Sequence, residues 1–137
     1  MSVFFVSILA ADCAFYEGPC EYMSVPCTEG QLGIMAHHSN FIAAVVPGKL
    51  SFRVPGEDAR IAFVSEGLVK AENNEVLVLV DSAQRPEDID ENRARKSVDE
   101  AKEALLQKRG IQENRLAQAQ LARAVSRLRV KNSFENL

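Results

Sequence analysis

Three arginines in the last third of the sequence have the type and spacing that suit a phosphate ligand. Arg123 and Arg127 are four residues apart, so on a helix their side chains lie about 5–6 Å apart on one face. Arg93 lies near the start of the preceding helical pattern. If two helices pack antiparallel here, the three guanidinium groups converge, and such groups bind phosphate oxygens in pairs. Ordinary cross-helix ion pairs with Asp90 and Glu91 are the alternative.

No recognised catalytic motif occurs in the sequence, and we expect no enzymatic activity. A nucleophile elbow, a P-loop, a dinucleotide-binding glycine pattern and a zinc-protease motif are all missing. Cys13, Cys20 and Cys27 are seven residues apart without a C-x-x-C pair, and the two histidines, His37 and His38, are adjacent. We therefore predict no metal site and interpret the cysteines as buried free thiols in a reducing cytosol.

Two helices with a narrow apolar face must position the arginines. Pro86 suits a first helical position and Gly110 a helix end, which predicts helices over Pro86–Arg109 and Gln112–Val130. Both carry apolar residues at 4-3-4 spacing: Ala94, Val98, Ala101 and Leu105, then Ala117, Leu121, Ala124 and Leu128. Half of this seam is alanine, so it buries little surface. We expect a marginal hairpin that another surface or a ligand must hold, with permanent docking as the alternative.

The first 84 residues have the pattern of short strands separated by turns. Turn signals include Glu17-Gly18-Pro19 and Asn73-Asn74. The predicted strands are Val3–Ala10, Glu21–Val25, Gln31–Met35, Phe41–Val46, Leu50–Val54, Arg60–Ser65, Leu68–Ala71 and Glu75–Asp81. Short strands followed by helices indicate an α+β fold, with an antiparallel β-sandwich or barrel over residues 1–84 and an antiparallel two-helix hairpin over residues 85–137.

Charge is distributed unevenly along the 137 residues. Residues 1–84 carry four cations and ten anions, whereas residues 85–131 carry twelve cations and eight anions. A basic hairpin indicates a partner with an acidic surface or phosphates, although solvated helix faces are the commoner cause. Aromatic residues do not alternate with the arginines, which argues against nucleic acid.

Membrane and export signals are weak. The sequence contains no run of about 20 apolar residues, the length that spans a bilayer. The apolar stretch Val3–Ala11 is preceded by no cation, because the first cation is Lys49. We therefore do not expect a signal peptide and place the protein inside the cell.

Two motifs in this order resemble the epsilon subunit family of bacterial F-type ATP synthase. Residues 29–35, Glu-Gly-Gln-Leu-Gly-Ile-Met, followed by His38 and by Pro47-Gly48, resemble the family's N-terminal signature. Residues 89–94, Ile-Asp-Glu-Asn-Arg-Ala, resemble its I/L-D-x-x-R-A motif at the start of the helical hairpin. The resemblance in length and in the order of strands and helices extends over essentially the whole chain.

This resemblance implies a ten-stranded β-sandwich in a non-catalytic rotor subunit that couples proton flow to ATP synthesis. The implied partners are the gamma subunit, the c-ring and the catalytic alpha and beta subunits. The implied location is the cytoplasmic face of the bacterial membrane, reached only through the complex. The implied contacts with gamma and the c-ring are Gln31, Gly33, Ile34, Met35 and His38.

The resemblance also implies regulation by the hairpin, which can extend along gamma toward the beta subunits and block ATP hydrolysis. No cofactor is required, but some members bind ATP as a regulatory ligand. The matching positions here are Ile89, Asp90, Arg93, Ala94, Arg123 and Arg127. Ala36 and Asn40 replace the usual prolines beside the histidine, while Gln84 and Glu100 replace an acidic residue and an arginine of ATP-binding members. A free-standing ligand-binding or scaffold module is the competing interpretation.

Overall fold

A computed structural model describes residues 2–107 and 110–135, and the chain divides into two compact units at Arg85 and Pro86. The first unit, called the β domain, contains ten strands. They are β1 (Phe4–Leu9), β2 (Ala14–Cys20), β3 (Tyr22–Cys27), β4 (Gly30–Met35), β5 (Phe41–Val45), β6 (Gly48–Arg53), β7 (Ala59–Val64), β8 (Gly67–Glu72), β9 (Glu75–Val80) and β10 (Ala83–Gln84).

All ten strands belong to one sheet that folds over on itself. Its order is β10-β7-β6-β3-β5-β8-β9-β1-β2, and β4 pairs with β3 outside this path. The link between β3 and β5 is a single residue pair, Cys27 with Val45, whereas β5 and β8 pair over five positions. Because so little pairing crosses this point, the sheet bends there into two layers that enclose an apolar core.

Alternating side chains build that core. Phe4, Val6 and Ile8 on β1 are buried, as predicted from their period of two, and every second residue of β9 is buried in the same way. The fully buried set drawn from both layers includes Met23, Val25, Ile34, Leu50, Val69 and Val78. The predicted α+β fold, with about ten strands before two helices, is confirmed.

One strand pair departs from the antiparallel prediction. The ladder between β1 and β9 is parallel, with Val6 opposite Val76 and Ile8 opposite Val78. The other ladders between the described strands are antiparallel. A pattern of alternating burial is the same for both directions, which is why the sequence did not reveal the parallel pair.

The segment predicted as a turn at Glu17-Gly18-Pro19 is instead part of β2. A Cβ on Gly18 would lie 2.8 Å from the Tyr16 hydroxyl oxygen, so the glycine leaves room for that ring. The Tyr16 hydroxyl donates to the Pro19 carbonyl oxygen at 2.7 Å. Strand β2 lies at the end of the sheet, where a proline without an N–H is tolerated.

Both helices differ from their predicted limits. Pro86–Asp88 forms a short 3-10 helix, and α1 begins only at Glu91 and ends at Leu106. Helix α2 runs from Ile111 to Glu135, five residues past the predicted end. Arg109, the predicted end of the first helix, lies outside the described residues. Helix α1 starts later than predicted because the backbone of Asp90 is extended (φ −82°, ψ 106°) and interrupts the helix.

The predicted apolar seam lies at the contact between α1 and α2. Ala94, Val98 and Ala101 are buried on α1, and Ala117 and Ala124 are buried on α2. The leucines of the seam, Leu105, Leu121 and Leu128, are only partly buried. The small residues therefore form the centre of the helix contact and the larger ones its margin.

Gly67 provides a test of how closely two strands approach. A Cβ at Gly67 would lie 1.9 Å from the Leu79 carbonyl oxygen and 2.7 Å from the Val80 Cα, both backbone atoms. We expect Gly67→Ala to lower the free energy of unfolding by about 1–3 kcal/mol, because the strands must separate. Urea denaturation of the full chain measures this. The control is Gly110→Ala, which meets open space and should change stability by less than about 0.5 kcal/mol. Equal effects at both sites would contradict the close approach.

Candidate functional site

The start of the helical unit places two of the predicted ligand-binding residues at the surface and two inside. Asp90 caps α1: its Oδ1 accepts a hydrogen bond from the Arg93 backbone N–H at 3.1 Å. The side chains of Asp90 and Arg93 are exposed. Ile89 and Ala94 are 4% and 5% exposed, so they anchor this segment and leave the two polar residues outward.

The end of α2 returns to this segment. The Lys131 ammonium donates to the Pro86 carbonyl oxygen at 3.2 Å, and that oxygen also accepts from the Ile89 N–H at 3.2 Å. The two helices are therefore antiparallel, as predicted. Arg127 and Arg123 lie one and two turns before Lys131 on the same face of α2, and both are partly buried. The structure thus aligns three cations on the α2 face that approaches the start of the unit.

Lys131 is a further candidate site residue, which the sequence reasoning missed. It stands four residues after Arg127, which is the spacing that drew attention to Arg123 and Arg127. Extending the same interval by one more turn would have included it. An ammonium on a flexible stem adds a point charge beside the planar guanidinium groups, which suits a ligand with several anionic oxygens.

The acidic residues at the start of α1 make their described contacts within the same helix, so these contacts are not the cross-helix ion pairs of the alternative. Glu91 pairs with Arg95 within the first turns of α1 at 2.6 Å. One oxygen of Asp90 is engaged by the Arg93 backbone N–H rather than by a guanidinium. Both interactions stabilise the start of α1.

The predicted contact residues of the β domain divide into anchors and surface groups. Ile34 is fully buried in the core, so its side chain anchors β4. Met35, the next residue, is 63% exposed. His38 is exposed and lies edge-on to Phe41, with 4.9 Å between ring centroids. Met35 at the end of β4 and His38 in the following loop therefore present one apolar and one polar group at the surface.

The other two predicted contacts lie along β4. The Gln31 side chain is held at both ends: its Oε1 accepts from the Ser24 hydroxyl at 2.7 Å, and its Nε2 donates to the Lys49 carbonyl oxygen at 3.3 Å. Gly33 faces the Tyr22 hydroxyl, and a Cβ there would lie 3.2 Å from that oxygen. Both residues are exposed, so this strand adds to the accessible surface next to the loop.

The thiols correct one prediction. Cys20 is buried and Cys27 partly buried, but Cys13 is exposed because it lies in the bend between β1 and β2. Burial raises the pKa of the Cys20 and Cys27 thiols, which keeps both protonated at neutral pH and opposes nucleophilic attack.

Metal sites and membrane spans are both missing from residues 2–107 and 110–135, the part of the chain that the structure describes. Within this part of the chain, no three His, Cys, Asp or Glu side chains are placed to hold a metal ion. Neither described helix combines the length and the apolar character needed to cross a bilayer.

An open groove of about 490 Å³ lies in the β domain, between residues 27–32 and residues 42–44. Its titratable groups are the Cys27 thiol and the Glu29 carboxylate. Burial raises the pKa of that thiol, so the thiol is protonated at neutral pH.

Family models match both units of the chain in the order of the fold. The model described as ATP synthase, Delta/Epsilon chain, beta-sandwich domain matches residues 3–86. The model described as ATP synthase, Delta/Epsilon chain, long alpha-helix domain matches residues 87–132. The chain belongs to the delta/epsilon chain family of ATP synthase.

Individual members of the delta/epsilon chain family support this assignment along most of the chain. The ATP synthase epsilon chain of Nitratidesulfovibrio vulgaris (strain DP4) is 38% identical over 113 residues, covering 82% of this chain and 84% of the relative. The ATP synthase epsilon chain of Ruminiclostridium cellulolyticum is 34% identical over 132 residues, covering 96% and 98%. The predicted resemblance of this chain to the epsilon subunit is confirmed.

Solved structures of ATP synthases contain chains with the same fold. A chain of the Euglena gracilis mitochondrial ATP synthase, solved as OSCP/F1/c-ring, aligns with a TM-score of 0.72 at 18% identity, covering 99% of this chain and 81% of that one. A chain of the Tetrahymena thermophila mitochondrial ATP synthase, solved as central stalk and c-ring, aligns with a TM-score of 0.63 at 13% identity, covering 93% and 95%. At these identities the likeness concerns the fold of the delta/epsilon family.

The Asp90 cap generates a prediction about the helical unit. We expect Asp90→Ala to destabilise the start of α1 by about 1 kcal/mol, because the N–H of Arg93 loses its acceptor. Asp90→Asn keeps a side-chain oxygen at the same place and should cost only a few tenths of a kcal/mol. Amide hydrogen exchange at Arg93 and Ala94 measures both variants in the full chain. Similar exchange in the alanine and asparagine variants would contradict the capping role.

Proposed function

We propose that the chain is a non-catalytic subunit of the central stalk of an F-type ATP synthase, where it rotates with the gamma subunit and couples proton translocation to ATP synthesis. The observation that carries this proposal is the match of one family model to each unit, in order, over residues 3–86 and 87–132. The raised thiol pKa values are consistent with a role that involves no chemistry of its own.

The two units would serve different partners. In the β domain, Met35 and His38 are exposed next to the exposed residues of β4, and we assign this region to the gamma subunit and the c-ring. The helical unit is basic, which suits an acidic surface on the alpha and beta subunits. The protein would therefore lie at the cytoplasmic face of the bacterial membrane and depend on the complex for its attachment.

The helical unit would act as a two-state regulator. Its closed form depends on a helix contact centred on alanines and on the bond between Lys131 and the Pro86 carbonyl oxygen. A contact of this kind is weak enough to be exchanged for another surface. Changing such an equilibrium from 1:99 to 99:1 requires about 5.5 kcal/mol of differential binding.

ATP is the ligand that we propose for the closed form. Arg123, Arg127 and Lys131 are aligned on α2, and the end of this row contacts the segment that carries Asp90 and Arg93. A triphosphate bound there would add charge-assisted hydrogen bonds that only the closed hairpin provides. ATP would consequently oppose the extended, inhibitory form.

Removal of the helical unit tests inhibition. In an assembled complex whose chain ends at Arg85, we expect the rate of ATP hydrolysis to rise several-fold, because no helix remains to enter the catalytic subunits. Steady-state ATPase assays measure the rate, and co-purification with gamma verifies that the shortened chain is still incorporated. An unchanged rate in an intact complex contradicts the inhibitory role and leaves the stalk role in place.

Calorimetry of the full-length chain with ATP tests the ligand. We expect Arg123→Ala and Arg127→Ala each to weaken ATP binding by about tenfold or more, the effect of losing a charged hydrogen-bond donor. The control is Arg129→Ala, since Arg129 lies on the same helix but is exposed and off this face. It should leave the affinity within about twofold. Absence of heat at millimolar ATP in the unmodified chain would rule out the ATP site.

A further inference from the structure

Three residues with left-handed backbone lie at one end of the β domain. Asn73 (φ 52°) and Asn74 (φ 63°) form the two-residue turn between β8 and β9, which needs positive φ at both positions. His37 (φ 62°) lies in the loop between β4 and β5. Asparagine adopts this conformation readily, whereas histidine does so less often and benefits from an external restraint.

The Asn74 side chain supplies that restraint. Its Oδ1 accepts from the His37 backbone N–H at 2.7 Å, and its Nδ2 donates to the Val3 carbonyl oxygen at 3.0 Å. Its own carbonyl oxygen accepts from the Phe5 N–H at 3.2 Å. One asparagine therefore joins the β8–β9 turn to the His37 loop and to the segment that leads into β1. These partners fix the orientation of the Asn74 amide, because the His37 N–H needs the amide oxygen as its acceptor and the Val3 carbonyl oxygen needs the amide N–H as its donor.

A second asparagine connects the same loop to the same turn, but here the side chain belongs to the loop and the backbone N–H to the turn. The Oδ1 of Asn40 accepts from the Asn73 backbone N–H at 3.3 Å. The loop is thus bonded to the turn near both of its ends, at His37 and at Asn40. Between these two points lies His38, and just before them lies Met35, the surface groups assigned to partner contact.

We propose that Asn74 is a positioning residue that fixes the Met35–His38 loop in the geometry in which it docks on the c-ring. This inference rests on the proposed function and adds to it the group that holds the docking loop in place. Asn74 itself does not need to touch the partner. Its effect passes through the backbone of His37.

Amide hydrogen exchange in the isolated full-length chain tests the restraint without any partner. Asn74→Gly removes the side chain and keeps the positive φ, so the turn persists. We expect the His37 N–H to exchange about tenfold faster, as follows from losing one hydrogen bond. The matched control is Asn73→Gly, one residue earlier in the same turn, which retains the backbone N–H that bonds Asn40. Unchanged exchange at His37 in Asn74→Gly would overturn the inference.

Docking is measured as the binding of the reassembled F1 part of the complex, which carries each full-length variant, to membrane vesicles. These vesicles contain the c-ring and have been stripped of their own F1 part. We expect Asn74→Gly to weaken binding by about five- to tenfold and Asn73→Gly to leave it unchanged. Asn74→Asp keeps an acceptor for the His37 N–H but loses the donor to Val3. Because its second oxygen would face the Val3 carbonyl oxygen, we expect partial recovery of docking, together with slow exchange at the His37 N–H. An aspartate variant that keeps slow exchange at His37 but docks as weakly as the glycine variant would overturn the inference.

One further variant separates this inference from the function on which it rests. Met35→Ser changes the exposed side chain at the end of β4 and leaves the hydrogen bond between the His37 N–H and Asn74 intact. We expect it to weaken docking without changing exchange at His37. If Met35→Ser weakens docking but Asn74→Gly does not, the positioning role is wrong and the proposed contact stands. If Met35→Ser leaves docking unchanged, the contact itself is wrong and the positioning role falls with it.

Discussion

The shared core between the two layers of the folded sheet is the contact on which the β domain depends. Alternating residues of β1 and β9 from one layer pack with those of β3, β4 and β6 from the other. Burial of a single large aliphatic side chain contributes about 1.5–3 kcal/mol, so this core outweighs the hydrogen bonds at any one loop. The loops can therefore carry exposed groups such as Met35 and left-handed residues such as His37 without endangering the fold.

The helical unit follows a different principle. Its centre is alanine, and the bonds that define its start are polar: the Asp90 cap and the shared carbonyl of Pro86. Small residues let helices approach closely but contribute little burial per residue. The same chain thus combines a domain packed around large apolar side chains with a helical unit whose helix contact is centred on small ones. For the proposed regulation, a ligand changes the equilibrium between two forms only by as much as its affinities for them differ, so a helix contact that buries little surface needs less differential binding.

The sequence predicted the class of the fold, the strand pattern of the core and the helix seam, because periodic burial leaves a direct trace in residue order. It failed where a tertiary contact overrides a local signal. Gly18 and Pro19 have the composition of a turn, but the Tyr16 ring and an edge position place them in β2. Asp90 is a different case, because two local signals compete there: it lies in a run of acidic residues that suits a first helical turn, but its side chain caps α1, which begins only at Glu91.

Only the part of the candidate site that follows from residue spacing along α2 could be predicted from the sequence. Arg123 and Arg127 were found by their interval, and Lys131 could have been found in the same way. The bonds of Asn74 connect residues 37 and 71 positions apart, and no sequence pattern indicates such partners. Asn40 in place of the usual proline predicts a less rigid loop, but its bond to the Asn73 N–H supplies a restraint of another kind.

The parallel pairing of β1 with β9 has a consequence for biosynthesis. Strand β1 can form its hairpin with β2 soon after both leave the ribosome, but its other edge has no partner until residues near Val80 have been made. Contacts between segments so distant in sequence slow folding, and an unsatisfied strand edge invites pairing with other chains. The second edge of β1 therefore stays open over most of the translation of the first domain, and pairing with β9 ends that interval.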